Sequence, residues 1–484
     1  MTTTIDPAAP ALFLDGEARP ADHRDVLQVL DKSTGAPLGT AAVATREDVA
    51  AAVAGAHRAQ PGWAATPGPE RAAILRRAAA LLQSAAEEFT VAVMRESGAS
   101  RADAAGEVAA SVIELFQAAD LATAELGEII PSARPGRVNL VERRPVGVVG
   151  LITAWNAPLH IALRVLAPAL GLGNAVVLKP APPTPLVGGL MIADLLAEAG
   201  IPAGLVQVLP GDPAGPALVD HPDVNMIHFT GSGRTGRRVY EAAAAGLKRV
   251  ALELGGNNAT VVLADADLAE AARAGAAASF GRQGQVCIAT GRHIVLRQVA
   301  EEYTALLAEQ ARALRVGDPM SGEVDLGPMI SADEVARALG LVERSAAAGA
   351  RLVTGGEADG PFLTPAVVDR VRPGMPLHDE EVFAPIAPVI VADDENTALE
   401  IVNATPYGLS ASVFSRDLDR AWAFADRVHA GMVHVNDASA LHEPHVPFGG
   451  VGESGVGERF GGRASIDLLT ERRWTSLQRS AVVR

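Results

Sequence analysis

The sequence predicts an α/β protein with parallel sheets. Three observations carry that reading. From Val146 onward, short apolar runs alternate with helical stretches, the pattern of a parallel sheet covered on both faces. A Gly-x-Gly-x-x-Gly run (Gly231, Gly233, Gly236) stands where one apolar run meets the next helical stretch. The chain has 484 residues, 49% hydrophobic and 20% charged, enough for roughly two or three domains with sizeable cores.

In chain order, residues 11–42 read as short strands and turns, with Asp15-Gly16 a turn signal. Thr45-Arg-Glu-Asp48 starts a helix, the threonine capping and the acids suiting its first turn. Pro69-Glu70 opens a long amphipathic helix through about Glu96, and Gly98-Ala-Ser100 separates it from a second, 102–124. Residues 131–141 are broken by Pro and Gly and then alternate as a strand. In the alternating region, strands are predicted at 147–153, 175–179, 206–209, 226–229 and 249–254, with helices near 162–171, 185–199, 214–220 and 233–245. The pattern resumes with a strand at 259–263, helices near 267–278 and 298–314, and further strands to 434–436. There is no repeat or low-complexity tract.

A formal net charge of -16 argues against nucleic acid and anionic membranes. A single cysteine forms no intrachain disulfide, which suits a reducing cytosol. The amino terminus, Met1-Thr-Thr-Thr-Ile-Asp-Pro7, lacks the basic and apolar regions of a signal peptide. The longest apolar stretch, 146–163, is interrupted by Asn156, Pro158 and His160 and reads as strand, turn and helix. The expected location is cytoplasmic.

The lone Cys287 lies in Phe280-Gly-Arg-Gln-Gly-Gln-Val-Cys-Ile-Ala-Thr-Gly-Arg-His293. A free cysteine is commonly a small buried hydrophobe. Here Gly281, Gly284 and Gly291 bracket it, leaving room for a turn that aims a thiol and a backbone N–H into a cavity, as a nucleophile requires. The fingerprint Gly231-Ser-Gly-Arg-Thr-Gly236 would seat a phosphate at a helix amino terminus, or serve only as a tight turn. The ribose-binding acid expected about 20 residues further on points to Glu253, in Ala251-Leu-Glu-Leu-Gly-Gly256. At an apolar strand end Glu253 reads equally as a general base of raised pKa, a ribose ligand or a buried ion-pair partner. Lys179, ending the run Ala175-Val-Val-Leu, faces either a ligand crevice or solvent. Asn156, in Thr153-Ala-Trp-Asn-Ala-Pro158, is either an amide donor to an oxyanion or a helix N-cap. Gly450-Val-Gly-Glu-Ser-Gly455 has no strand–helix setting and reads as a mobile loop. His442, Glu443 and His445 match no metal-ligand spacing and read as a solvent-side loop, so no metal is expected.

Together these residues resemble the aldehyde dehydrogenase superfamily over nearly the whole chain. The motifs are Thr153-Ala-Trp-Asn156, Lys179-Pro180, Phe229-Thr-Gly-Ser-Gly233, Leu252-Glu-Leu-Gly-Gly256, Gly284-Gln-Val-Cys287, Glu380-Glu-Val-Phe-Ala-Pro385, Asn403-Ala-Thr-Pro-Tyr-Gly-Leu409 and Pro447-Phe-Gly-Gly450. Cys287-Ile-Ala-Thr-Gly-Arg-His293, Val435-Asn-Asp437, Gly455-Val-Gly-Glu-Arg-Phe-Gly-Gly462 and Arg164 are similar to the benzaldehyde, vanillin and salicylaldehyde dehydrogenase branch.

The resemblance implies a Rossmann-type cofactor domain (1–121 and 146–255) with a five-stranded parallel sheet. It also implies an α/β catalytic domain (256–452) and a small β extension as bridging, oligomerising segment (122–145 and 453–484). It implies a catalytic set of Cys287 as nucleophile, Glu253 as water-activating base, Asn156 with the Cys287 N–H as oxyanion hole, and Lys179. NAD or NADP would meet Ile152, Thr153, Ala154 and Trp155 after one strand, and Lys179, Ala181 and Pro182 after the next. Further contacts would come from Gly211 and Gly215, from the segment Phe229, Thr230, Gly231, Ser232, Thr235 and Gly236, and from Glu253, Leu254 and Gly255. Glu381 and Phe383 would approach the nicotinamide side. For the aldehyde, Ala157, His160, Ile161 and Arg164 would line the tunnel, Val286 and Ile288 would flank the thiol, and Phe448 would supply an aromatic wall. His160 and Arg164 would reach a ring hydroxyl. Ala154 replaces a frequent proline, and Pro182 stands where many NAD-preferring members carry glutamate. The tail, Trp474-Thr-Ser-Leu-Gln478 with Ala481-Val-Val483, reads as strand-like; the resemblance implies that it pairs across a dimer and covers an open edge, in a homodimer or homotetramer.

The expected activity is NAD(P)-dependent oxidation of an aldehyde, aromatic by the branch resemblance, to the acid through a cysteine thioester. Its alternatives are an aliphatic aldehyde or semialdehyde dehydrogenase and a non-catalytic binding protein on the same fold. A CoA-acylating member would lack the glutamate that Glu253 supplies.

Overall fold

The computed structural model describes residues 11–20 and 25–479; the tail stretch 481–483 lies outside them. A ten-stranded sheet holds five parallel strands at its centre, in the spatial order Arg249–Glu253, Met226–Thr230, Val148–Ile152, Ala175–Lys179 and Val206–Val208. These strands are apolar because helices cover both faces. Numbered along the chain, their order is 5-4-1-2-3, so the winding reverses between Val148–Ile152 and Met226–Thr230. Ligands of such sheets bind beyond the carboxyl ends of the strands at that reversal. The sheet continues antiparallel at both sides: Phe13 pairs with Val208, and Gly455 and Val456 pair with Glu253 and Leu252.

A second sheet of seven strands runs Arg351–Thr354, Ala366–Val371, Ile386–Ala392, Thr290–Leu296, Asn258–Val262, Ser410–Phe414 and Met432–Val435, antiparallel only at the first pair. A third joins Thr470–Gln478, Arg137–Pro145 and Gly127–Ile130, all antiparallel. No helix among the described residues is long and apolar enough to cross a membrane.

Three local expectations change. The long helix of 69–96 breaks into Gly68–Ser84 and Ala86–Ser97. Ser84 Oγ turns back to Ala80 O at 2.9 Å, a bond that competes with continued helix. The helix predicted from 185 opens as a π turn, Leu186–Leu190, before Met191–Glu198. The carboxylate of buried Glu96 accepts from Leu186 N and Val187 N there. The stretch 450–455 is not a mobile loop: it forms the turn Gly452–Ser454 and adds a short strand, and Leu254 N donates to Ser454 O at 2.9 Å.

The helix Pro158–Gly171 is buried along its whole length, packed against Arg101–Leu121. It carries tunnel candidates from the sheet reversal into the molecule.

Candidate active site

The thiol is presented by a turn that chain sterics disfavour. After the helix Leu268–Phe280, Arg282, Gln283 and Gly284 adopt φ of 53°, 55° and 64° in succession. Two left-handed residues other than glycine need outside support, and each has it. Arg282 Nε donates to Asn156 O at 2.6 Å, and its guanidinium pairs with buried Glu107. Gln283 Nε2 donates to Gly98 O at 2.9 Å. At Gly284 a Cβ would stand 2.2 Å from Ala384 O, so space as well as φ demands glycine. Beyond the turn, Asn258 Nδ2 donates to both Cys287 O and Ala289 O at 2.8 Å. Cys287 itself is half-buried.

It opens on a cavity of about 210 Å³ that Asn156, Ile161, Arg164, Glu253, Glu381 and Phe448 also line. Glu253 is 6% exposed and its Oε2 has no partner. Burial pushes its carboxyl up to about 8, against Arg164 and Arg459, which favour the carboxylate. The ion-pair reading of Glu253 finds no partner among the described residues, and Glu253 lines the thiol cavity, not the adjoining one that holds Lys179. The N-cap reading of Asn156 gives way likewise. The cap position is Ala157, and the first free N–H groups of the helix, on Leu159 and His160, donate to Glu107 Oε1 at 2.8 and 3.1 Å. Asn156, its carbonyl held by Arg282, lines the cavity.

The second cavity, about 480 Å³, lies at the sheet reversal. Ile152, Thr153, Lys179, Ala181, Pro182 and Gly215 line one part of it, and Phe229, Thr235 and Arg238 another. Ala154, Trp155, Thr230, Gly231 and Ser232 line both cavities, so the two are continuous. Ser232 caps the helix Gly233–Ala245, whose amino terminus favours an anion. Thr153 Oγ1 is buried without a partner, and Lys179, 7% exposed, ends its strand beside the opening. An unpaired hydroxyl, a lysine and a helix terminus around an elongated cavity fit a dinucleotide. Lys179 therefore stands with the cofactor-side residues, not at the thiol. Its Nζ is 3.1 Å from Asp212 Oδ1, an acid that also lines this cavity. Gly211 and Gly236 do not line it. Gly211 (φ 97°) packs on Val43, and Gly236 leaves room for Leu254, whose Cδ2 would lie 2.5 Å from a Cβ there.

On the thiol side, Leu254, Gly255, Glu381 and Phe383 line the smaller cavity. Glu381 Oε1 accepts from Gly256 N at 2.9 Å, and burial raises this carboxyl to about 7. The Phe383 ring stands edge-on to Trp155 at 5.6 Å. Of the substrate candidates, Ile161, Arg164 and Phe448 line the cavity, and Ala157, His160, Val286 and Ile288 do not. Ala289 N closes a turn on Val286 O at 2.9 Å, which leaves Cys287 at the corner facing the cavity. Val286 then borders a separate small cleft with Gly256 and Gly284, and Ile288 is core. His160 is buried with neither ring nitrogen bonded.

The loop reading of 442–445 holds for Glu443 and His445, which are exposed, but not for His442. The His442 ring packs edge-on against His160 at 5.2 Å and Phe448 at 5.4 Å, and burial pushes it down to about 3. Glu114, His160 and His442 bring their ligand atoms within 4.8 Å of one another. Sequence spacing did not reveal this group because it joins three distant segments. Glu107, Arg282, Glu114, Phe460 and Asn258 were likewise not foreseen. One signal was present: Glu107 and Glu114 fall on the apolar stripe of their helix with Ala104, Val108, Ser111, Leu115 and Ala118, where an acid needs a partner.

The aldehyde dehydrogenase family model matches residues 19–475. The chain is 47% identical over 453 residues to a benzaldehyde dehydrogenase [NAD(+)] of Pseudomonas putida, covering 93% of each. It is 44% identical over 452 residues to a vanillin dehydrogenase of an Amycolatopsis strain, again covering 93% of each. The crystal structure of a salicylaldehyde dehydrogenase from Pseudomonas putida G7 complexed with salicylaldehyde superposes with a TM-score of 0.95, at 34% identity and 99% coverage of both chains.

Proposed function

The chain belongs to the aldehyde dehydrogenase family, and from that membership and the thiol cavity we propose that it oxidises aromatic aldehydes of the benzaldehyde, vanillin or hydroxybenzaldehyde type to carboxylic acids with NAD or NADP. The observation that carries the aromatic reading is the lining of the thiol cavity. Phe448, whose ring stacks on Phe460 at a centroid distance of 5.2 Å, and Ile161 line that cavity together with Cys287. Burial and stacking of a ring there would add about 0.5–1.5 kcal/mol beyond area.

In the proposed reaction the Cys287 thiolate attacks the carbonyl carbon, forming a C–S bond and sending the π electrons to oxygen. The Asn156 amide and the Cys287 N–H donate to that oxyanion; one such donor is typically worth roughly 10²–10³ in rate. A nicotinamide held towards Glu381 and Phe383 would supply the hydride acceptor; once the carbon has lost that hydride, the oxyanion re-forms the carbonyl and an acyl thioester remains on Cys287. Glu253 takes a proton from water, whose oxygen attacks the thioester; the C–S bond breaks and the thiolate departs. A carboxyl near 8 is a stronger base than an ordinary one once ionised.

Lys179, Ser232 and the helix amino terminus would hold the dinucleotide, with Glu381 and Phe383 towards its nicotinamide end. Pro182 offers no acid to the ribose, so both cofactors would be accepted. We also propose a cytoplasmic homodimer or homotetramer. The strand Thr470–Gln478 is an open edge, and Ile129, Trp474 and Leu477 on its sheet are exposed.

The test is a steady-state panel followed by absorbance of reduced nicotinamide. Benzaldehyde and its hydroxy or methoxy derivatives should exceed acetaldehyde and semialdehydes in kcat/KM. An aliphatic preference of tenfold, about 1.4 kcal/mol in transition-state terms, would overturn the aromatic assignment.

A further inference from the structure

We propose that Arg164 is the resident counter-charge of the thiol cavity, a positioning residue that holds the nucleophile's negative charge in the cofactor-free enzyme. This rests on Cys287 being the nucleophile.

Arg164 sits in the wholly buried helix Pro158–Gly171 and is 9% exposed. Its guanidinium carbon lies 4.2 Å from the Phe448 ring centroid and 3.8 Å from that of Phe460. Two ring faces stabilise a cation without using its N–H donors. Among the described residues, those donors meet no hydrogen-bonding or ion-pairing partner. A buried guanidinium cannot shed its proton and is costly unless compensated. The ring contacts supply only part of that compensation. An anion in the same cavity would supply the remainder; of the four acidic groups that line it, Cys287, Glu253, Glu334 and Glu381, the first two act on Arg164.

The surrounding charges leave Arg164 as the main candidate. Burial drives the Cys287 thiol up to about 12; Arg164 is the leading influence in the opposite direction, while Glu253 and Glu381 disfavour a second anion. Glu114, on the neighbouring helix, also faces Arg164, but burial raises its carboxyl to about 8. His160, His228 and His442 surround the guanidinium; burial and its charge push all three down, so they are neutral near pH 7. Arg282 faces His160 and is bound to Glu107, and Arg459 faces Glu253. Arg164 thus provides a permanent positive charge among groups that burial keeps neutral. Its effect is on thiolate formation, and it is separable from any contact with a ring hydroxyl.

The experiment is the pH dependence of Cys287 alkylation by iodoacetamide in the cofactor-free enzyme. Arg164→Gln and Arg164→Met should move the midpoint up by roughly one pH unit or more, slowing alkylation at pH 8 about tenfold. Arg164→Lys should recover at least half of the shift. Profiles coinciding with the parent in folded variants would overturn the proposal, even if aldehyde KM rose, because a ring contact alone leaves a small reagent's pH profile unchanged. A second measurement needs no variant. An unpaired cation should make iodoacetate react faster relative to iodoacetamide, by severalfold, than it does with free cysteine; a ratio at or below that of free cysteine would also overturn it. Failure of the underlying reading looks different, since Cys287→Ala would then still oxidise aldehyde.

Discussion

The two adjoining cavities are built on different principles. The larger lies where strand ends and a helix amino terminus meet at a sheet reversal, and of the charged residues that line it only Lys179 is buried. The smaller is made of buried side-chain charge, with Glu253, Glu381, Arg164 and Cys287 around one space and Glu107 with Arg282 beneath it. A site with little buried charge tolerates loss of a single side chain, because few removals leave a buried partner unpaired. A site built from desolvated charges does not, because each removal leaves a partner buried and unpaired.

The sharpest way to break this contrast is Glu107→Gln. That carboxylate receives Leu159 N and His160 N and pairs with Arg282, which holds both the left-handed turn and Asn156 O. We expect a loss of about 3–5 kcal/mol in unfolding free energy and a fall in kcat, with cofactor Kd unchanged. Calorimetry with steady-state kinetics checks it, and a silent variant would remove the distinction between the cavities.

Next in size is the dependence of stability on pH. Glu114, Glu253 and Glu381 have carboxyls raised by burial to about 8, 8 and 7. Their folded values lie above the unfolded one, so their stabilisation is complete below the unfolded carboxylate pKa of about 4.3 and is lost as pH rises through the folded values. The buried histidines, shifted down, lose stability only on the acid side of their unfolded pKa of about 6.5. Between about pH 6.5 and 8 the carboxyls therefore dominate, and Tm should fall with pH. Glu114→Gln should flatten that fall in a thermal melt series; a Tm that rises over this window would contradict the charge assignments.

The smallest effect belongs to the larger cavity. Asp212 neutralises Lys179 and lines the dinucleotide cavity. Its carboxylate is largely exposed and would repel a nearby 2′-phosphate only weakly, tuning the cofactor ratio without excluding NADP. Asp212→Asn should raise kcat/KM with NADP relative to NAD by several-fold, with little change in maximal rate. An unchanged ratio would remove Asp212 from cofactor selection.

The same contrast explains what was legible in the sequence. The alternating strands and helices and the run Gly231, Gly233, Gly236 are local signals, and they mark the sheet reversal at which the larger cavity lies; the lining residues expected there came from the family resemblance. Gly236 was legible as a motif position, although its role is contact with Leu254. The thiol side depends on pairs far apart in the chain. Glu107 and Arg282 are 175 residues apart, and no periodicity joins them. Val286 and Ile288 were expected beside the substrate by adjacency to Cys287, but the turn that exposes the thiol directs them elsewhere. His442 read as solvent-side because no partner cluster stands near it in the sequence; the His160 ring that packs on it, with that of Phe448, comes from a distant segment.

The central claim is that aldehyde oxidation proceeds through an acyl group on Cys287 that Glu253 releases. Intact-mass analysis of Glu253→Gln, mixed with benzaldehyde and NAD, tests it directly. The account predicts a burst of one reduced cofactor per site, followed by one aroyl group held on Cys287 and absent from Cys287→Ala. Normal turnover by Glu253→Gln with no adduct, or an adduct that persists in Cys287→Ala, would contradict it.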